Sequence, residues 1–346
     1  MKKSLFVVAV AAFAMTACTN EKNEYVGDNS PKEIAFKPLS QKPTRAAVQG
    51  TTFPDQSMEV VAYQSAPTTG DYFSKTTFSQ DGSTGKWKAS PAKYWPLSAA
   101  TLNFFAVSGA SVNAADITIA DGFATAGVNY GKTGATGTYS ETTQSDIMYS
   151  FARGSVAKTS GTNTLVFSDV AMTFHHALAL INFQIKGSTG ITVTSITLDN
   201  AHYTGSLAIA NTGDGLLATS GDVNTALTWT ADAVVDHVTV PHISNHALDS
   251  NFYPDGTTSG QTDWAALMII PGTSYGFESF TINYTYNSKN YSYTYVPTWN
   301  SGNVAVTPVS ADTKYTYQIT MTLHEITIAP QVDPWTTPAE TSVTIP

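Results

Sequence analysis

The stretch Met172–Ile185, MTFHHALALINFQI, decides the fold class. From Leu178 onward its apolar positions are Leu178, Leu180, Ile181, Phe183 and Ile185. That near-alternation marks a β-strand rather than a helix face. Residues 316–328, TYQITMTLHEITI, repeat the pattern, and Ile191–Leu198 (ITVTSITL) carries β propensity throughout. Outward from these lie further short candidates: 58–63, 86–95, 102–107 (LNFFAV), 146–151 (DIMYSF), 164–167, 265–270, 280–286 and 291–296. Turn residues separate them. No segment makes a convincing amphipathic helix; 116–123 and 222–227 offer single turns. Roughly thirteen or fourteen strands in two halves predict an all-β chain of two β-sandwiches. The loop-like RGSVAKTSGTN at 153–163 places the break near it, giving halves of 46–165 and 166–346.

Composition agrees. The chain has 346 residues, 42% hydrophobic and only 12% charged, a mixture that suits twisted sheets. Net charge is −9. Seven of the basic residues and four of the acidic ones lie in 1–45, so a chain starting at Ala46 carries 10 bases, 22 acids and a net of −12. No basic stripe is left to displace counterions from a phosphate backbone, which excludes nucleic acid as a partner.

The N-terminal end reads MKKSLFVVAVAAFAMTAC. Lys2 and Lys3 precede an apolar run from Leu5 to Ala14, too short to span a bilayer but suited to a signal peptide. Thr16 and Ala17 lead into Cys18, the single cysteine of the chain. Residues 1–17 are therefore expected to be a lipoprotein leader and Cys18 the acylated residue, which places the precursor at a membrane. Residues 19–32 are polar and without periodicity, as a tether would be.

Signatures of catalysis are missing. The sequence has no GxSxG elbow, HExxH, phosphate-binding loop or GxGxxG after a strand, and its carboxylates are thinly spread. No enzyme activity, cofactor or metal is expected. Adjacent residues on a strand face opposite ways, so His175 and His176 are expected one inward and one outward. His237, His242 and His246, with Asp236 and Asp249 nearby, read as a polar loop. Tyr284, Tyr286, Tyr291, Tyr293 and Tyr295 sit at even spacing on a hairpin. They read first as rings packed across a sheet face, and otherwise as a platform for a glycan or a host protein.

The two ends form the most useful pairing. Glu33–Lys37 is strand-like, with Ile34 and Phe36 on one face, and Pro38, Pro43 and Arg45 follow. At the other end Val332-Asp333-Pro334-Trp335 precedes a tail in which Val343 and Ile345 alternate. Loss of the first strand by cleavage after Arg45 would expose an apolar groove with unpaired backbone groups. A tail from another copy would fill it by β-strand addition.

These features together resemble the fimbrillin family, the type V pilins and related surface lipoproteins of gut and oral anaerobes. The resemblance rests on the lipoprotein leader, TRAA at 44–47, YWP at 94–96, LNFFAV, DIMYSF, FHHALALINFQI at 174–185 and VDPW at 332–335. It implies two tandem transthyretin-like β-sandwich domains, lipidation at Cys18 and cutting between Arg45 and Ala46 by an arginine-specific protease. It implies further that the region of Ile34, Phe36 and Leu39 (propeptide 18–45) leaves and that the tail bearing Val343 and Ile345 is the donor. The expected protein is a shaft or tip subunit of a cell-surface fimbria, partnered by other copies or related subunits and held at the outer membrane only as a precursor. The rival reading is an anchored lipoprotein that binds glycan or host protein through exposed aromatics.

Overall fold

A computed structural model describes residues 30–40, 57–68, 70–82, 86–108, 117–120, 125–130, 146–160, 164–168, 170–203, 205–210, 227–231, 237–254, 265–297 and 307–334. The protein is all-β, and no helix occurs among the described residues. The strands of the first half are β1 (Ala35–Ser40), β2 (Ser57–Ala66), β3 (Gly70–Gln80), β4 (Trp87–Ala89), β5 (Ala100–Ser108), β6 (Ile117–Ala120), β7 (Thr125–Tyr130), β8 (Met148–Lys158), β9 (Leu165–Phe167) and β10 (Val170–His176). Next come β11 (Ala179–Gly187), β12 (Ile191–Asp199), β13 (Gly205–Ala210), β14 (Leu227–Ala231), β15 (Val238–Thr239), β16 (His246–Ala247) and β17 (Ala266–Ile269). The last are β18 (Gly272–Phe277), β19 (Ser279–Tyr286), β20 (Lys289–Tyr295), β21 (Thr307–Val309), β22 (Thr313–Met321) and β23 (Ile326–Pro334).

The first sheet runs β10-β1-β4-β3-β2-β5-β8-β9, and β10 also pairs with β8. The sheet thus curls until β10 meets β8, leaving few open edges. Inside lies a core containing Ile34, Phe36, Val60, Phe78, Trp87, Leu102, Phe104, Met172 and Phe174. In the second half, the sheet β17-β11-β22-β23 shares a core with the sheet β15-β12-β19-β20, in which β16 also pairs with β12. That core centres on Phe183, Ile196, Phe280, Ile282, Tyr317 and Ile319. Phe183 meets Phe280 edge-on at 5.0 Å and stacks on Tyr317 at 5.5 Å.

The uninterrupted apolar runs have a physical reason. On β5, Leu102, Phe104 and Ala106 face the first core, while Phe105 and Val107 join a third cluster. On β11, Ile181, Phe183 and Ile185 face the second core, while Leu180, with Leu178 just before the strand, enters the same third cluster. Strands buried on both faces lose polar alternation. This third cluster, which adds Val61, Ile147, Tyr149, Leu207, Trp229, Met268 and Ile270, packs the two halves against each other. They also share a sheet, because β7 of the first half pairs with β13 of the second from Gly205↔Tyr130 to Ala210↔Thr125.

Two local expectations change. Residues 116–123 offered a helical turn, but Ile117–Ala120 form β6, whose β-branched residues pair with β7. The loop-like stretch at 153–163 is mostly β8 and its turn into β9, with Val156↔Phe167 and Lys158↔Leu165 in register. The chain passes from the first sheet to the second at Ala177–Leu178.

Phe183→Ala is expected to lower unfolding stability by about 3–5 kcal/mol, since it empties the centre of the second core. Ser292→Ala, on the exposed strand β20, should change it by about 0.5 kcal/mol or less. Urea denaturation followed by fluorescence measures both.

Candidate functional site

Ile34 and Phe36 lie inside the first core although they come from the N-terminal part of the chain. Ile34 is 0% exposed and Phe36 1% exposed. The Phe36 ring sits 4.9 Å from Phe78 and 5.0 Å from Phe104, tilted against one and edge-on to the other. Aromatic contacts of this kind add to the area term.

Backbone pairing holds β1 on both sides. It runs parallel to β10, from Phe36↔Val170 to Ser40↔Phe174, and antiparallel to β4 at Ala35↔Lys88 and Phe36↔Trp87. Just before the strand, the Ile34 amide donates to the Lys93 carbonyl at 2.7 Å. The Trp95 amide donates to the Lys32 carbonyl at 2.9 Å. Pro38, which has no amide proton to give, sits where β1 has β10 alone as its registered partner. Leu39 is placed by its register with Thr173.

Charges flank the strand at the surface. Lys88 Nζ lies 3.7 Å from a Glu33 oxygen and 3.1 Å from Asp81 Oδ2. The hydrogen bond to Asp81, aided by the charge of Glu33, raises the Lys88 pKa. Lys32 lies over the Phe167 ring at 5.4 Å. Such exposed contacts contribute little next to the buried side chains.

At the other end of the chain, β23 is an edge strand paired with β22 from Met321↔Ile326 to Thr313↔Pro334. Ile326 and Ile328 rest on the second core, while Val332 is 46% exposed. Register brings Ser40 and Pro334 toward one place. Ser40 lies opposite Phe174; the next residue, His175, contacts Asp312; and Asp312 precedes Thr313, the partner of Pro334. Cys18, Arg45, Ala46, Val343 and Ile345 lie outside the described residues.

The histidines do not converge. His176 is 2% exposed and points at Asp146, 2.7 Å away, while His175 is partly exposed beside Asp312 at 3.4 Å. The expected division into inward and outward rings therefore holds. His237 meets Asp199 at 2.8 Å, and that carboxylate also accepts from Ser279 and Thr281 at 2.9 and 3.0 Å. Ser279 thus binds the carboxylate rather than the imidazole, which is not the geometry of an activated nucleophile. His246 stacks on Tyr253 at 3.6 Å, and burial, set against Asp249, holds its pKa below the usual histidine value. Among the described residues no group of three or more His, Cys, Asp or Glu is arranged for a metal.

The tyrosine hairpin turns at Asn287 and Ser288, both at positive φ (50° and 58°), the conformation of a type I′ turn. Register sets Tyr284 opposite Tyr291, Ile282 opposite Tyr293 and Phe280 opposite Tyr295, so all five tyrosines share the core face. Tyr284, Tyr286 and Tyr295 pack on the core. Tyr291 and Tyr293 overhang it, 42% and 36% exposed, with Tyr291 stacked on Tyr284 at 5.4 Å.

Sequence reading missed three participants: Asp146, Asp312 and the parallel partnership of β1 with β10. DIMYSF was legible as a strand, but nothing in it showed that its acid faces a histidine thirty residues later.

Residues 44–335 match the family model described as fimbrillin-like. No curated protein matches the chain. Among solved structures, a Bacteroides uniformis protein described as a cell adhesion protein is 18% identical, covers 89% of this chain and 100% of its own, and has a TM-score of 0.48. A fimbrial protein of Bacteroides vulgatus is 16% identical with the same coverage and a TM-score of 0.47. A cell adhesion protein of Bacteroides ovatus is 12% identical over 89% of this chain and 99% of its own, also at 0.47. The family match spans most of the sequence, and on it the chain belongs to the fimbrillin-like family.

Proposed function

We propose that this protein is a structural subunit, shaft or tip, of a cell-surface fimbria that supports adhesion. It is exported as a lipoprotein acylated at Cys18 and anchored in the outer membrane until an arginine-specific protease cuts between Arg45 and Ala46. Two tandem transthyretin-like sandwiches form its body. The outgoing strand carries Ile34, Phe36 and Leu39. The incoming one is the tail with Val343 and Ile345 from another copy or a related subunit.

The observation that carries this reading is the burial of Ile34 and Phe36 on the N-terminal side of the cleavage point. Release of the segment freed by a cut at Arg45 empties a slot between β4 and β10. The slot is then walled by Phe78, Phe104 and Trp87 and edged by unpaired backbone groups. Refilling it with two large apolar side chains returns about 1.5–3 kcal/mol each before ordering costs. That is enough to drive association while leaving the intact precursor closed.

Treating the precursor with an arginine-specific protease should yield a new N-terminus at Ala46, followed by detergent-resistant ladders on gels. Deleting residues 336–346 should abolish the ladders and leave cleavage intact. A cut protein that stays monomeric overturns strand exchange. In the uncut chain, Phe36→Ala should cost about 3–5 kcal/mol of stability and speed release of the strand after cutting, read as earlier ladder formation. Equal timing in variant and parent would show that strand release does not control assembly.

A further inference from the structure

Asp146 and His176 are 1% and 2% exposed, with Asp146 Oδ2 and His176 Nδ1 2.7 Å apart. Sealing an ionisable pair from water is costly, and losing either charge leaves the other uncompensated. The pair occupies a particular place. His176 ends β10, and Asp146 lies two residues before β8. Around them the Ala177 amide donates to the Ile147 carbonyl at 2.8 Å, and the Trp229 indole donates to the Ala177 carbonyl at 3.0 Å. From the second half, Asp312 accepts from the His176 amide at 3.4 Å, meets the His175 ring at 3.4 Å and donates its own amide to the Leu178 carbonyl at 3.1 Å.

β10 has divided partners. Its residues 170–174 are registered with β1, and only His175↔Tyr149 and His176↔Met148 are registered with β8. Once β1 leaves, those last two positions are the registered ladder that remains to it. We propose that the Asp146–His176 pair is a clamp that keeps β10 standing as the wall of the emptied groove, and that it holds when His176 is protonated and slackens when the proton is lost. The clamp itself exists in the uncut chain; only its use in assembly rests on the processing reading above.

Electrostatics support the sign. Burial alone would strip the imidazole of its proton, but the charge of Asp146 beside it, with a further contribution from Asp312, more than offsets it and raises the His176 pKa. The folded state thus holds this proton more tightly than the unfolded chain. Its stabilising effect is fully present below the ordinary histidine value of about 6.5 and is lost as pH rises through the raised folded value. The ionisable groups packed about the site are Asp146 beside β8, Tyr149 on β8, Asp312 before β22 and His175 on β10 itself, whose ring lies 5.9 Å from Tyr149.

The test uses the uncut full chain first. Amide exchange at residues 174–177, corrected for intrinsic rates, should lose protection progressively between pH 6 and pH 9. The His176 ring should titrate above ordinary histidine by NMR. The double variant D146N/H176Q should lose this pH dependence, and H175N should keep it. If the double variant fails to fold, the titration of His176 in the parent decides alone. Protection independent of pH, or a His176 that titrates at or below the ordinary value, overturns the clamp. In protein cut after Arg45, the pH-dependent loss should spread to residues 170–173; confinement to 174–177 overturns its role in holding the groove. Resistance to cutting would sink the processing reading and leave the uncut measurement to judge the clamp.

Discussion

Phe36, wedged between Phe78 and Phe104, makes the first core depend on a strand that the chain supplies from its N-terminal end. Without that ring the rest of the core has a hole at its centre, and without β1 the sheet has a gap between β4 and β10. Interiors pack at crystal-like density and do not collapse freely around such a loss. The body of the protein is therefore built around a piece held by pairing on both sides and by its buried side chains. Whatever releases that piece changes the sheet's edges and its core together.

A second constraint keeps the remainder rigid while this happens. β5 and β11 are each buried on both faces, one face in its own sandwich and the other in the cluster between the halves. Val61, Phe105, Tyr149, Leu180 and Met268 meet there, and β7 with β13 continues the joint as shared sheet. Loss of β1 strikes only the opposite face of β5, through Phe104. The junction is thus insulated from the groove by the thickness of one sheet, with β5 bearing on both regions, one face on each.

Alternation and turn residues made the all-β class legible, and the burial of Ile34 and Phe36 followed from their spacing. The one shared face of the five tyrosines needed the register across Asn287–Ser288, which a two-residue turn sets and the composition alone does not reveal. The break between the halves was harder. The glycine- and serine-bearing sequence after β8 reads like a linker, yet β8 and β9 on either side of it pair in one sheet, while the step from β10 to β11, which lie in different sheets, is the apolar stretch Ala177–Leu178. Such an apolar step between sheets is invisible to rules that look for polar loops, because Ala177 and Leu178 are themselves buried in the third cluster. Asp146 and Asp312 were illegible for a related reason: pairings across thirty and more than one hundred residues leave no local pattern.

On the proposed reading, the outgoing and incoming strands can be compared by shape. Ile34-x-Phe36 places two large side chains two residues apart, and Val343-x-Ile345 offers the same spacing with smaller groups. An aliphatic residue in the slot of Phe36 fills less of the space between Phe78 and Phe104, so side for side the original strand is the better occupant. It also enjoys the high effective concentration of a tethered segment, about millimolar for a short flexible link. A donor from another chain would lose on both counts while the tether is whole. Cutting at Arg45 removes the second advantage at once and lets the first be overcome by mass action, because a released peptide dilutes away while neighbouring subunits remain. A poorer-fitting donor is then what keeps assembly waiting for the protease.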